Sequence, residues 1–194
     1  MRAVHFLTHP EVLIDPAVPV PDWGLSPLGL RRSRLAAERR WPDTTRAVFH
    51  SGERKARETA QPIAARLGLV PVTLEALGEN DRSATGYLPK AEFETVADAF
   101  FAHPRESVRG WERALDAQNR IVAAVGSALR LAPAGGDIAI VAHGGVGALL
   151  LCHLKGIPIT RAEDQPGDGG GNAFRFEAAT GRLLSGWRRI EDEL

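Results

Sequence analysis

Four places in the sequence set reactive side chains directly after a short apolar run. Thr8, His9 and Glu11 follow Ala3–Leu7. Ser51, Arg54 and Lys55 follow Arg46–His50. Glu79, Asn80, Asp81 and Arg82 follow Val70–Leu74, and His143, Gly144 and Gly145 follow Asp137–Ala142. A neutral imidazole can attack phosphorus without a base to activate it first. A carboxyl near an anion can give up a proton and later take one back. Paired glycines let backbone approach a ligand closely, and a helix that starts there favours an anion at its N-terminus.

These residues need a frame that brings them to one rim. The apolar runs, rich in β-branched residues, read as buried strands. Pro10 stops the first of them, because it lacks an N–H and biases His9 away from helix. Between the strands the sequence predicts helices: one from the Ser26-Pro27 cap to about Arg40, Glu53–Leu67 ended by Gly68, Glu92–Phe101, Gly110–Leu131, and one over Val146–Leu154. Asp15–Asp22, with three prolines, reads as an ordered loop. Ala173–Glu177 and Arg182–Trp187 around a Thr-Gly turn read as a hairpin. This alternation predicts a single-domain α/β fold over 1–194, a three-layer α/β/α sandwich with a mostly parallel sheet. Ligands of such sheets bind at the carboxyl ends of the strands, where the four reactive groups would converge.

Composition narrows the function. The chain has 194 residues, 44% apolar and 25% charged, as a soluble globular domain has. Lys plus Arg and Asp plus Glu both number 24, with no basic stripe, which argues against nucleic acid as a partner. The longest apolar run, near Gly147–Cys152, is too short for a bilayer. The single cysteine, Cys152, excludes an internal disulfide framework and a thiolate metal cluster and fits a reducing compartment, so a cytoplasmic location is expected. The opening MRAVHFLTHPEV is too short and too quickly polar for a signal peptide. No Gly-x-Ser-x-Gly, Gly-x-x-x-x-Gly-Lys-Ser/Thr or Gly-x-Gly-x-x-Gly is placed to support a serine hydrolase, a nucleotide loop or a dinucleotide site.

The three blocks Thr8-His9-Pro10, Ser51-Gly52-Glu53-Arg54-Lys55-Ala56-Arg57-Glu58-Thr59-Ala60 and IAIVAHGG ending at His143-Gly144-Gly145 resemble the histidine phosphatase superfamily, which includes the cofactor-dependent phosphoglycerate mutases. Trp23–Gly29 resembles the family's segment before its first helix, and Leu77-Gly78-Glu79 the segment that supplies its acid. The resemblance covers nearly the whole chain in the family's order. It implies a phosphoglycerate mutase-like fold and metal-independent phosphoryl transfer without a cofactor, most simply hydrolysis of a small phosphomonoester. His9 would be the nucleophile, Glu79 (or its competitor Asp81) the proton donor, and His143 and Gly144 phosphoryl ligands.

The sequence also departs from the family pattern. Thr8 stands where the family has arginine, Pro10 where it has glycine, and Lys55 where it has a second arginine. Arginine grips phosphate with a planar fork, whereas lysine offers a point charge and threonine a hydroxyl. Losing one preorganised donor can cost about 10²–10³ in rate. A further cation is therefore expected, and Arg82 is the nearest arginine in the loop that carries Glu79; its alternative is a loop ion pair with Asp81. The rival reading is a phosphate-binding or regulatory protein that keeps the pocket without the turnover. The glycine-rich Gly167–Gly171, with Asp168 inside it, reads as a surface turn or as a loop beside a ligand. Trp111 is expected in the core, Cys152 as a small buried hydrophobe and His153 as a structural histidine.

Overall fold

The computed structural model describes residues 1–194. Its strands are β1 (Ala3–Thr8), β2 (Thr45–His50), β3 (Val72–Thr73), β4 (Asp137–Ala142), β5 (Asn172–Glu177) and β6 (Leu183–Arg189). Its helices are α1 (Pro27–Ala37), α2 (Arg54–Leu67), α3 (Lys90–Ala102), α4 (Ala114–Leu131) and α5 (Gly144–Lys155). One sheet runs β3-β2-β4-β1-β5-β6. The first four strands in that order are parallel, and the final hairpin adds two antiparallel strands beside β1.

The strands show why their sequence reads as continuous apolar run. Val4 and Phe6 of β1 and Ile138 and Ile140 of β4 face one core with α4 and α5. Leu7, Ala139 and Val141 point the other way, into a core with α1 and α2. Alternate residues thus bury against helices on both faces, and no position is left for a polar side. A third cluster packs α3, Trp111 and the Ala148–Leu149 stretch of α5 together above the ends of the strands.

Local signals explain the ends of the elements. Ser26 Oγ accepts the Gly29 N–H at 3.1 Å, and Gly68 ends α2 with φ +64°. Two expectations need correction. The long helix begins at Ala114, not Gly110. Arg109 and Gly110 take positive φ, and Glu112 is held in a reciprocal pair with Asp81: its N–H donates to the Asp81 carbonyl at 2.9 Å, and its carboxylate accepts the Asp81 N–H at 3.1 Å. β3 keeps only Val72–Thr73, because it is an edge strand that pairs with Phe49 and His50 alone. No helix is long and apolar enough to cross a membrane.

Candidate active site

β1 and β4 are parallel neighbours with Thr8 opposite Ala142, and the His9 N–H extends the ladder to the Ala142 carbonyl at 3.3 Å. His9 and His143 therefore leave adjacent central strands side by side. Their ring centroids lie 5.2 Å apart at 65°, inside the roughly 10 Å that one shared group requires. His9 Nδ1 lies 2.9 Å from the Pro10 carbonyl. A carbonyl only accepts, so Nδ1 carries the proton and the lone pair is on Nε2, which has no protein partner. Burial, followed by the nearby Lys55 ammonium, lowers the His9 pKa to about 4, so the ring is neutral at pH 7.

His143 caps α5 and is fully buried. Its Nε2 lies 2.7 Å from Ser51 Oγ and 3.2 Å from Glu53 Oε1. With Glu53 ionised, Nε2 carries the proton that faces it, and the donor expected to hold a phosphoryl oxygen is already committed. His143 Nδ1 is buried without a partner. Ser51, His143 and Glu53 do not form a hydrolase triad, because serine and carboxylate meet the same ring nitrogen. Burial lowers the His143 pKa to about 4 against the opposing pull of Glu53.

Glu53 is the main residue that sequence reasoning passed over. It stands two positions before Lys55 in the second block, and only its acidity among basic residues could have drawn notice. One oxygen accepts the Glu79 N–H at 2.9 Å, and the other pairs with Lys55 Nζ. Burial pushes its pKa up, but protonated His143 and Lys55 outweigh that and hold it at about 2. Lys55 itself is buried and also donates to the Val20 carbonyl at 2.7 Å, so its charge is already matched.

Glu79 takes the place an anion would. Its carboxylate accepts the N–H groups of Gly145 (3.0 Å) and Val146 (2.9 Å) at the start of α5, and that of Asn80 (3.1 Å). Asn80 is buried, and its Nδ2 has no partner. Glu79 shares a cavity of about 160 Å³ with His9, Arg82, Gly144 and Trp111, whereas Asp81 lines only the outer cleft of about 440 Å³. Asp81 instead accepts the Ser83 N–H at 2.8 Å, which draws its pKa down.

Thr8 requires a correction. It is fully buried and turned from the cleft: its hydroxyl donates to Gln165 Oε1 at 2.6 Å and accepts the Asn172 N–H at 2.9 Å. The hydroxyl satisfies a buried N–H that an apolar residue would orphan, so it is unavailable to a ligand. Arg82 forms no ion pair with Asp81. Its guanidinium lies 5.1 Å over the Phe93 ring and 5.6 Å from that of Trp111, and it lines both cavities.

The glycine-rich loop packs directly behind His9. The Gly171 N–H donates to the His9 carbonyl at 2.8 Å, and a Cβ on Gly170 would lie 2.4 Å from that same oxygen, so only glycine fits there. Arg32, not singled out in the sequence, clamps the loop: it pairs with Glu11 and Glu191 and donates to the carbonyls of Gly170 and Gly171. Trp111 and Cys152 are buried as expected, whereas His153 is exposed on α5 and is not a packed structural residue.

Three lowered histidine pKa values, those of His5, His9 and His143, set an acid limit on stability. Unfolded histidine titrates near 6.5, so between about pH 6.5 and 4 the unfolded chain binds more protons and stability falls as pH falls. Glu53 extends the loss from about 4.5 toward 2. Urea unfolding midpoints should drop steadily from pH 7 to pH 4.5. A midpoint that does not change over that range would mean that none of the three histidines is shifted by the fold.

No curated protein is recognisably similar in sequence. Solved structures share the fold. A mycobacterial glucosyl-3-phosphoglycerate phosphatase holding inorganic phosphate has 22% identity and a TM-score of 0.75, each chain covered in full. Bacillus stearothermophilus YhfR has 21% identity over 95% of both chains and a TM-score of 0.76. A phosphoserine phosphatase from Entamoeba histolytica, in complex with 3-phosphoglyceric acid, has 17% identity over 98% of this chain and 99% of its own, with a TM-score of 0.76. The sequence model of the histidine phosphatase superfamily (branch 1) matches residues 17–184, most of the chain beyond the first block. With that match and the shared fold, the chain belongs to the histidine phosphatase superfamily.

Proposed function

We propose that the protein hydrolyses a small phosphomonoester through a phosphohistidine on His9. The observation that carries this reading is the state of the His9 ring: neutral, with Nδ1–H tied to the Pro10 carbonyl and the Nε2 lone pair free, 5.2 Å from His143. Phosphoryl oxygens would displace the Glu79 carboxylate from the N–H groups of Gly145 and Val146. The displaced Glu79 carboxylate takes up the proton of the monoprotonated ester; Nε2 then attacks phosphorus as the bond to the leaving oxygen breaks, and Glu79 delivers that proton to the leaving oxygen. Water attacks the phosphohistidine next, returns a proton to Glu79, and frees inorganic phosphate. Arg82 supplies counter-charge at the mouth, and two of the three proteins of similar fold named above are phosphatases.

A second reading, a phosphate-binding protein without turnover, is favoured by one observation: Glu53 occupies both Lys55 and the His143 donor. The two readings separate in one experiment. Incubation with p-nitrophenyl phosphate at pH 7, followed by alkaline quench, should trap an acid-labile phosphoprotein and release nitrophenol in steady state, with or without a chelator. Phosphate binding with neither phosphoprotein nor nitrophenol would establish the binder. Loss of turnover on chelation, restored by a divalent ion, would overturn the histidine mechanism.

A further inference from the structure

Beyond Arg82 the cleft opens into a third cavity, of about 300 Å³, unlike the other two in chemistry. Ile14, Val20, Trp23, Tyr87, Leu88 and Phe93 make its apolar wall, with Arg82, Gly86 and Lys90 completing the lining. It shares Val20, Arg82 and Gly86 with the outer cleft, and Arg82 and Phe93 with the cavity that holds His9. The apolar chamber is therefore continuous with the reaction site, and Arg82 stands at the junction of all three.

Its walls are built and held. Trp23 and Tyr87 meet at 5.7 Å and 59°. The Trp23 indole N–H donates to the carbonyls of Asp15 (2.9 Å) and Val18 (3.0 Å), which anchors the ring through the proline-rich loop. Phe93 carries the Arg82 guanidinium on its face. Ile14 and Tyr87 remain 55% and 37% exposed, an apolar surface with no covering element in the chain. The two cations of its wall are engaged, Lys90 by Asp168 at 3.0 Å and Arg82 over the Phe93 ring, and the chamber meets the His9 cavity directly at Arg82 and Phe93.

From this arrangement we propose that the chamber is a leaving-group subsite, and that the substrate is a phosphomonoester of a planar apolar alcohol or phenol. This rests on the phosphomonoesterase reading and adds the substrate class. The phosphoryl group lies at His9, the ester oxygen passes Arg82, and the apolar body stacks among Trp23, Tyr87 and Phe93.

Non-hydrolysable probes separate this inference from catalysis. Calorimetric titration of the full chain should show 1-naphthylmethylphosphonate binding at least tenfold tighter than methylphosphonate. In the double variant Ile14→Ser, Tyr87→Ser that gap should shrink below threefold, while methylphosphonate affinity stays unchanged and serves as the check on folding. Equal affinities in the wild type would overturn the subsite and leave the phosphoryl reading standing. A gap that survives in the double variant would overturn its location. If neither phosphonate binds and aryl phosphates are not turned over, both readings fall.

Discussion

His9→Ala lowers kcat/KM for an aryl phosphate by at least about 10³-fold and abolishes the trapped phosphoprotein. Removing a nucleophile from a covalent mechanism leaves only the binding and electrostatic contributions, and losses up to about 10⁶ are known for such groups. The tertiary arrangement makes the prediction specific. His9 lines the cavity with its Nε2 lone pair free, whereas His143 does not line it: its Nε2 is taken by Ser51 and Glu53, and its unpartnered Nδ1 is buried. Inorganic phosphate should still bind the variant within a few-fold, because a neutral ring adds little to the affinity for an anion. The measurement is steady-state hydrolysis beside phosphoprotein trapping and phosphate titration. Full turnover in His9→Ala, or a phosphoprotein formed in it, would move the chemistry to another residue and sink the proposal.

Glu53→Gln should tighten phosphate binding by about 10²-fold. Like charges about 4 Å apart repel by about 4 kcal/mol at an effective dielectric of 20, and a phosphate dianion beside Glu53 meets that repulsion. The substitution also frees the buried Lys55 ammonium, now paired with Glu53, to serve as counter-charge. Glutamine keeps the shape and an acceptor for the Glu79 N–H, so the fold should survive. Acidification cannot replace the mutation, since Glu53 titrates at about 2, below the range in which the buried histidines stay neutral. Calorimetric titration of phosphate at pH 7 decides the matter: an unchanged or weaker affinity in a folded variant would show that the carboxylate does not oppose the ligand.

Glu53 also marks the limit of what the sequence states. Strand ends, helix caps and the convergence of His9, Glu79 and His143 follow from local periodicity and from topology, and the structure has them within a few residues of expectation. A two-sided buried strand can be recognised from apolar run and turn residues alone, and parallel strands then share one carboxyl edge.

The direction of each side chain was not readable. Thr8 lies at the strand end in sequence, yet its hydroxyl serves Asn172, more than 160 residues away, because that N–H would otherwise be buried unpaired. Lys55 and Glu53 lie two apart on a helix start, a spacing that gives no contact by itself; burial beside His143 brings them together. Arg82 sits next to Asp81 in the chain but lies over Phe93 and Trp111 in space. The sequence by itself determined that His9, Glu79, Arg82 and Gly144 come to one rim. Only the tertiary structure decided which are free there and which are spent on each other, because pairing of buried charges and hydrogen bonds depends on contacts between segments remote along the chain.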